Sequence, residues 1–106
     1  MSRTQISSPR APAAIGPYSQ AIAVPAGKLV FLSGQIPLDP QTGQLVTGDV
    51  EAETERVMQN LKAVLEAAGL GFEHVVRCGI FLTDLNDFAK VNAVYGKHFT
   101  GAPPAR

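Results

Sequence analysis

Residues 49–69, DVEAETERVMQNLKAVLEAAG, decide how the rest of the chain must be arranged. Val50, Val57, Leu61, Val64, Leu65 and Ala68 recur at three- and four-residue steps, the spacing that lines one face of an α-helix. Asp49 stands where an N-cap is needed. Glu51 and Glu53 fall in the first turn, where the helix dipole favours negative charge, and Gly69 offers a left-handed stop. A helix with one apolar stripe has to bury it against a second layer, and the flanking sequence supplies candidates for that layer.

Before the helix, MSRTQISSPRAPAAIGP (1–17) has no clear period and reads as a surface arm. YSQAIAV (18–24) and LVFLSGQ (29–35) are β-rich runs joined by PAGK (25–28), which predicts an antiparallel hairpin, and a short third strand is expected at about 44–46. After the helix, VVRCGIFL (75–82) predicts a buried strand with Val76, Cys78, Ile80 and Leu82 on one face. A second helix is expected after a capping Asp84, with Leu85, Phe88, Val91, Tyr95 and Phe99 on its stripe, ending at Gly101, Pro103 and Pro104. The expected fold is α+β in two layers, a four-stranded sheet under two helices.

The chain has 106 residues, 45% of them hydrophobic, which suits one domain and leaves too little for a second core. So small a core makes self-association a natural source of further stability. Nine basic and nine acidic residues balance, so net charge provides no hold on nucleic acid or anionic lipid. The lone Cys78 excludes an internal disulfide framework, and with only two histidines no zinc-ligand spacing is formed, so no metal is expected. Neither GxGxxG nor GxxxxGK[ST] occurs, and no nucleotide cofactor is expected. Met1–Arg10 lacks the apolar run of a signal peptide, and no stretch is long enough to span a bilayer, so a cytoplasmic location is expected.

Several residues stand out as candidates for chemistry, each with a plainer reading beside it. Ser33, His98 and Asp84 could be assembled into a triad on paper, but no GxSxG surrounds the serine. His74 and His98 suit structural roles, and Cys78 suits a small buried hydrophobe. Asn92, one turn from Phe88 and Tyr95, either ties its helix to a loop or stands in a cleft wall. Ser33 and Gly34 form either a β-bulge or a backbone approach to a ligand. Tyr18 is either a strand-edge packing residue or a pocket hydroxyl. Arg106, at the end of PPAR, is either solvated or a planar fork for a small carboxylate.

Five segments, APAAIGPYSQAI, FLSGQIPLDPQTGQLV, VMQNLKAVLEAAGLGFEHVV, FLTDLNDFAKVNAVYGKHF and PPAR, together resemble the Rid (YjgF-type) family of reactive-intermediate deaminases, most of all its RidA branch. The resemblance implies a chorismate-mutase-like fold with a mixed β-sheet and two helices on one face, assembled as a homotrimer with clefts between subunits. It implies hydrolysis of 2-imino or enamine acids, such as 2-iminobutanoate and 2-iminopropanoate, to 2-oxo acids and ammonia, with neither cofactor nor metal. Carried onto this chain, Arg106 grips the substrate carboxylate and Tyr18 is a cleft tyrosine. Ser33 and Gly34 line the pocket loop, and Asn92 is a polar residue near the site. A non-catalytic small-acid-binding trimer and an RNA-acting translation inhibitor are the alternatives. Family members continue past PAR with two further strands and a water-positioning glutamate. Residues 1–106 are therefore expected to be a single Rid-type domain without the family's C-terminal strands.

Overall fold

The computed structural model describes residues 3–25 and 27–106, and the PAGK turn expected at 25–28 lies partly outside them, at Ala26. The elements are β1 (Thr4–Ile6), β2 (Ala21–Ala23), α1 (Val50–Ala67) and α2 (Phe88–Gly96), with 3-10 turns at Phe72–His74 and Leu85–Asp87. The fold is the expected two-layer α+β arrangement, with the helices as one layer and extended segments as the other.

The first helix forms as its sequence dictates. Asp49 Oδ1 accepts the Ala52 amide at 2.7 Å, Glu51 and Glu53 occupy the first turn, and Gly69 takes φ 76°, so that the Leu70 amide turns back onto the Leu65 carbonyl. Met58 and Leu65 are its buried residues, two turns apart. Val64, on the expected stripe, is left 40% exposed. Asn60 fastens the helix to the preceding loop by donating from Nδ2 to the carbonyls of Ile36 (3.1 Å) and Leu38 (2.9 Å).

The second helix is shorter than its sequence suggests. Asp84 does cap a turn, accepting the Asn86 amide at 3.0 Å, but that turn is 3-10, and α2 proper starts at Phe88 and stops at Gly96 rather than near Gly101. Its end tightens as the Lys97, His98 and Phe99 amides each reach back three residues. Val91, Val94 and Tyr95 are buried, and Phe99 continues the apolar contact beyond the helix, its ring 4.8 Å from Tyr95 and 5.4 Å from Phe72. Gly96 permits the approach of the 16–18 loop, since a Cβ there would stand 3.3 Å from Pro17 Cβ.

The extended layer departs most from expectation. β2 pairs antiparallel with β1, Gln5 opposite Ile22, so the arm at 1–17 contributes a strand, and among the described residues no pairing of β2 with 29–35 forms the expected hairpin. Residues 29–35 form no backbone hydrogen bonds among the described residues, and Phe31 is 89% exposed. Residues 75–82 keep the alternation read from sequence, with Val76, Cys78, Ile80 and Leu82 turned inward, but form a bridge only at Arg77. The strand expected at 44–46 is a single bridge from Leu45 to Leu38. The reason is common to all three: β-propensity gives an extended backbone, while a strand needs a neighbour to accept its ladder.

What joins the layer is the PPAR segment. Ala105 forms parallel bridges to Ser19 on one side and Arg77 on the other. The Ser19 amide donates to Pro104 O, the Cys78 amide to Ala105 O, and the Ala105 amide to Val76 O, all at 2.9–3.0 Å. The lateral order is thus β1, β2 with its Ser19 extension, the 103–106 segment, and 75–79, with antiparallel and parallel pairing in one layer. Ser19, only 2% exposed, completes the join: its hydroxyl donates to Pro103 O and accepts from Gln5 Nε2 at 3.0 Å.

Two predictions arise from this packing. Ser19→Ala leaves a buried carbonyl and an amide donor without their partner, and is expected to cost about 1–3 kcal/mol, read as a lowered midpoint in thermal unfolding. The second concerns Glu55, which accepts from Gln59 Nε2 at 2.7 Å and meets His98 Nε2 at 3.0 Å. The Gln59 bond and then the His98 bond hold its carboxyl below the ordinary 4.5. A depressed folded value means the stabilisation is complete above 4.5 and is lost as pH falls through the folded value. Glu55 is half exposed, so the effect is small. The thermal midpoint of the wild type should fall slightly more between about pH 5 and pH 3 than that of Glu55→Gln, a comparison made by circular dichroism.

Candidate functional site

The site is built where the PPAR segment delivers Arg106 against α2. Pro103 and Pro104 restrict the backbone, the bridges at Ala105 fix its direction, and the side chain of Arg106 extends across to Asn92, whose Oδ1 accepts from Nη1 at 2.8 Å. Three rings surround the guanidinium. Its central carbon lies 5.2 Å from the centroids of Phe88 and Tyr95 and 5.4 Å from that of Tyr18. Such faces attract a cation and displace water from it, leaving its in-plane N–H groups as the route for recognition.

Each ring arrives by a different route. Phe88 and Tyr95 are seven residues apart on α2, and Asn92 lies between them, so the three share one side of the helix. Tyr18 comes from the loop that Gly96 allows to sit close, and its own amide donates to Gly16 O at 2.8 Å. No carboxylate side chain forms a salt bridge with Arg106 among the described residues. The guanidinium is held by an uncharged amide and apolar faces, so its full charge is available to an incoming anion.

Behind Arg106, the Tyr95 hydroxyl faces the Cys78 thiol without a hydrogen bond of ordinary geometry, and is buried without a partner. Burial pushes the thiol above its usual range. The Tyr95 hydroxyl and the charges of Arg106 and Arg77 offset this only in part. Burial likewise raises the Tyr95 hydroxyl far above its ordinary value. Both shifts disfavour the ionised form, so the surroundings of Cys78 do not activate its thiol as a nucleophile.

Of the residues singled out from sequence, Arg106, Asn92 and Tyr18 come together. Ser33 and Gly34 do not: both are exposed on the unpaired 29–35 segment, Gly34 has open space where a Cβ would stand, and no hydrogen bond links either to Arg106. The paper triad is also dispersed, His98 being bonded to Glu55 and Asp84 capping its turn. His74 accepts the Gly71 amide at Nδ1, which closes the 3-10 turn at 72–74. In the sequence, Phe88 and Tyr95 stand out only as part of the apolar stripe. Their spacing about Asn92 is the signal that they also flank a polar site. Among the described residues no three His, Cys, Asp or Glu side chains converge in a metal-ligating group, and no helix is long and apolar enough to cross a membrane.

Comparison with known proteins places this geometry in a family. Residues 8–106 match the family model described as endoribonuclease L-PSP. The chain is 71% identical over 106 residues to Protein DfrA of Myxococcus xanthus, covering all of this chain and 81% of that one. It is 48% identical over 104 residues to the mouse 2-iminobutanoate/2-iminopropanoate deaminase, covering 98% of this chain and 76% of the relative. The crystal structure of RidA from the Antarctic bacterium Psychrobacter sp. PAMC 21119 superposes with a TM-score of 0.71 at 44% identity, over 97% of this chain and 81% of that one. With a matching family model over nearly the whole chain, and relatives near half identity that carry the same fold, this chain belongs to the endoribonuclease L-PSP family, the YjgF/Rid family.

Proposed function

We propose that this protein hydrolyses reactive 2-imino acids and their enamine tautomers, 2-iminobutanoate and 2-iminopropanoate, to the 2-oxo acid and ammonia. The observation that carries the reading is the Arg106 guanidinium, fixed by Asn92 and three aromatic faces and bonded to no carboxylate side chain. The relatives named as 2-iminobutanoate/2-iminopropanoate deaminases, among them the mouse protein, support the choice of substrate.

The chemistry asks little of the protein. A protonated imine carbon is already electrophilic. Water adds to it, a proton moves from the new hydroxyl to nitrogen, and ammonia leaves as the C–N bond breaks and the C=O bond forms. Arg106 holds the carboxylate, and the Tyr18 ring closes one wall, so that the carbon is presented in one orientation to water. In this reading Ser33 and Gly34 reach the site from a neighbouring protomer of a homotrimer. The exposed Leu29, Val30, Phe31 and Phe81 form the apolar surface that assembly would cover. The cluster around Arg106, which pairs with no acidic side chain among the described residues, equally suits a module that binds small acids without transforming them.

The deciding measurement couples a dehydratase that releases 2-iminobutanoate to a trap for the free imine. Added protein should speed loss of the imine, and Arg106→Ala should lose this effect by one to two orders of magnitude, the value of one charge-assisted hydrogen bond of about 1.5–3 kcal/mol. Arg106→Lys should recover only part, since the ammonium keeps the charge but not the fork. Binding of 2-oxobutanoate with imine loss at the uncatalysed rate would instead identify the binding module, and salt-sensitive RNA cleavage by nuclease-free protein would identify the third alternative. Cys78→Ser is expected to retain activity, and an inactive, folded Cys78→Ser protein would overturn the inert role given to the thiol.

A further inference from the structure

Gly16 has no side chain at the one point where a side chain would enter the Arg106 cluster from the front. A Cβ built on it stands 3.7 Å from Arg106 Nη2, 3.8 Å from Asn92 Nδ2 and 3.8 Å from Tyr18 Cδ2. Nη1 donates to Asn92 Oδ1, whereas Nη2 and Nδ2 have no hydrogen-bond acceptor among the described residues. Asn92, Arg106 and Gly16 are each only partly buried, so this place is open to solvent.

We propose that Gly16 is a specificity-determining residue of the site, its missing side chain keeping open the space in which one carboxylate meets Arg106 Nη2 and Asn92 Nδ2 together. The proposal rests on the reading of Arg106 as a carboxylate holder and adds to it. A carboxylate carries two oxygens on one carbon, and two donors without an acceptor that both approach the Gly16 backbone can each take one of them. The pair consists of one charged and one neutral donor, and Asn92 then has two tasks: its oxygen orients the guanidinium, and its nitrogen shares the anion. A methyl group at position 16 would lie against both donors at ordinary contact distances, without pressing on the protein, and so would cover them against a ligand rather than distort the site.

That distinction makes the test clean. The backbone of Gly16 is not left-handed, and alanine meets nothing closer than 3.7 Å, so Gly16→Ala should fold with an unchanged thermal midpoint. Calorimetric titration with 2-oxobutanoate and with its uncharged amide, 2-oxobutanamide, is the experiment. Gly16→Ala should bind the acid about tenfold or more weakly than wild type, with a smaller change for the amide, which presents one acceptor oxygen instead of two. Equal acid affinity in folded Gly16→Ala and wild type would overturn the role of Gly16 while leaving Arg106 in place. No binding of the acid to wild type at all would instead remove the carboxylate-holding reading on which it rests, and this inference with it. Should Gly16→Ala unfold, Asn92→Leu answers the same question, because it keeps the bulk and deletes both amide groups: a folded Asn92→Leu protein with wild-type affinity for 2-oxobutanoate would refute the two-donor cradle.

Discussion

The structure depends on a short parallel join, the segment Pro103–Arg106 held between residue 19 and residues 76–78. Three backbone hydrogen bonds and the buried Ser19 hydroxyl fasten it. Pro104 is fully buried there and, lacking an amide hydrogen, gives only its carbonyl to the Ser19 amide. Two prolines lower the entropy lost in fixing the segment, and no donor of theirs is left unpaired in the interior. The same join lies between the N-terminal part of the chain and the strand-like 75–79 segment, and among the described residues no bridge links those two directly.

From that join the functional geometry follows with few free variables. Once Ala105 is bridged on both sides, Arg106 emerges toward α2, and only a polar residue in the middle of an aromatic stripe can receive it. Asn92 is that residue, with Phe88 four positions before it and Tyr95 three after, so one helix supplies both the hydrogen bond and two of the three faces around the cation. The third face, Tyr18, is one residue from Ser19, so the residue that locks the segment and the residue that stacks on its arginine are neighbours in sequence. The join and the cluster around Arg106 therefore meet at residues 18 and 19.

What could be read beforehand was whatever is encoded locally. The helix at 50–67 announced itself through its period, its Asp49 cap and its Gly69 stop, and the inward alternation of Val76, Cys78, Ile80 and Leu82 was visible as well. Pairing partners were not, because they depend on segments distant in sequence: Thr4–Ile6 lies in a run too rich in small and polar residues to suggest a strand, yet it pairs with Ala21–Ala23. The end of α2 was also hidden, since nothing in GKHFTG marks a stop as firmly as the prolines that follow. The resemblance to a family names Arg106, Asn92 and Tyr18, which the fold brings together, whereas Gly16, whose role is a proposal, carries no signal in the sequence because what a glycine offers is the space it leaves.

The exposed run at 29–35 has a consequence for how such a site can work. Its backbone amides have no partners among the described residues, the Ser33 carbonyl accepts only from Gln35 Nε2, and Leu29, Val30 and Phe31 face solvent. Covering that apolar surface by association would add to the stability of the fold. If Ser33 and Gly34 meet Arg106 only across such a contact, the rigid half of the site, built on the 103–106 join, exists in each protomer, while the half that closes over the ligand depends on assembly. Activity would then rise more steeply with protein concentration than binding of a carboxylate at Arg106 alone, because the anion needs one protomer and the oriented water needs the enclosed cleft.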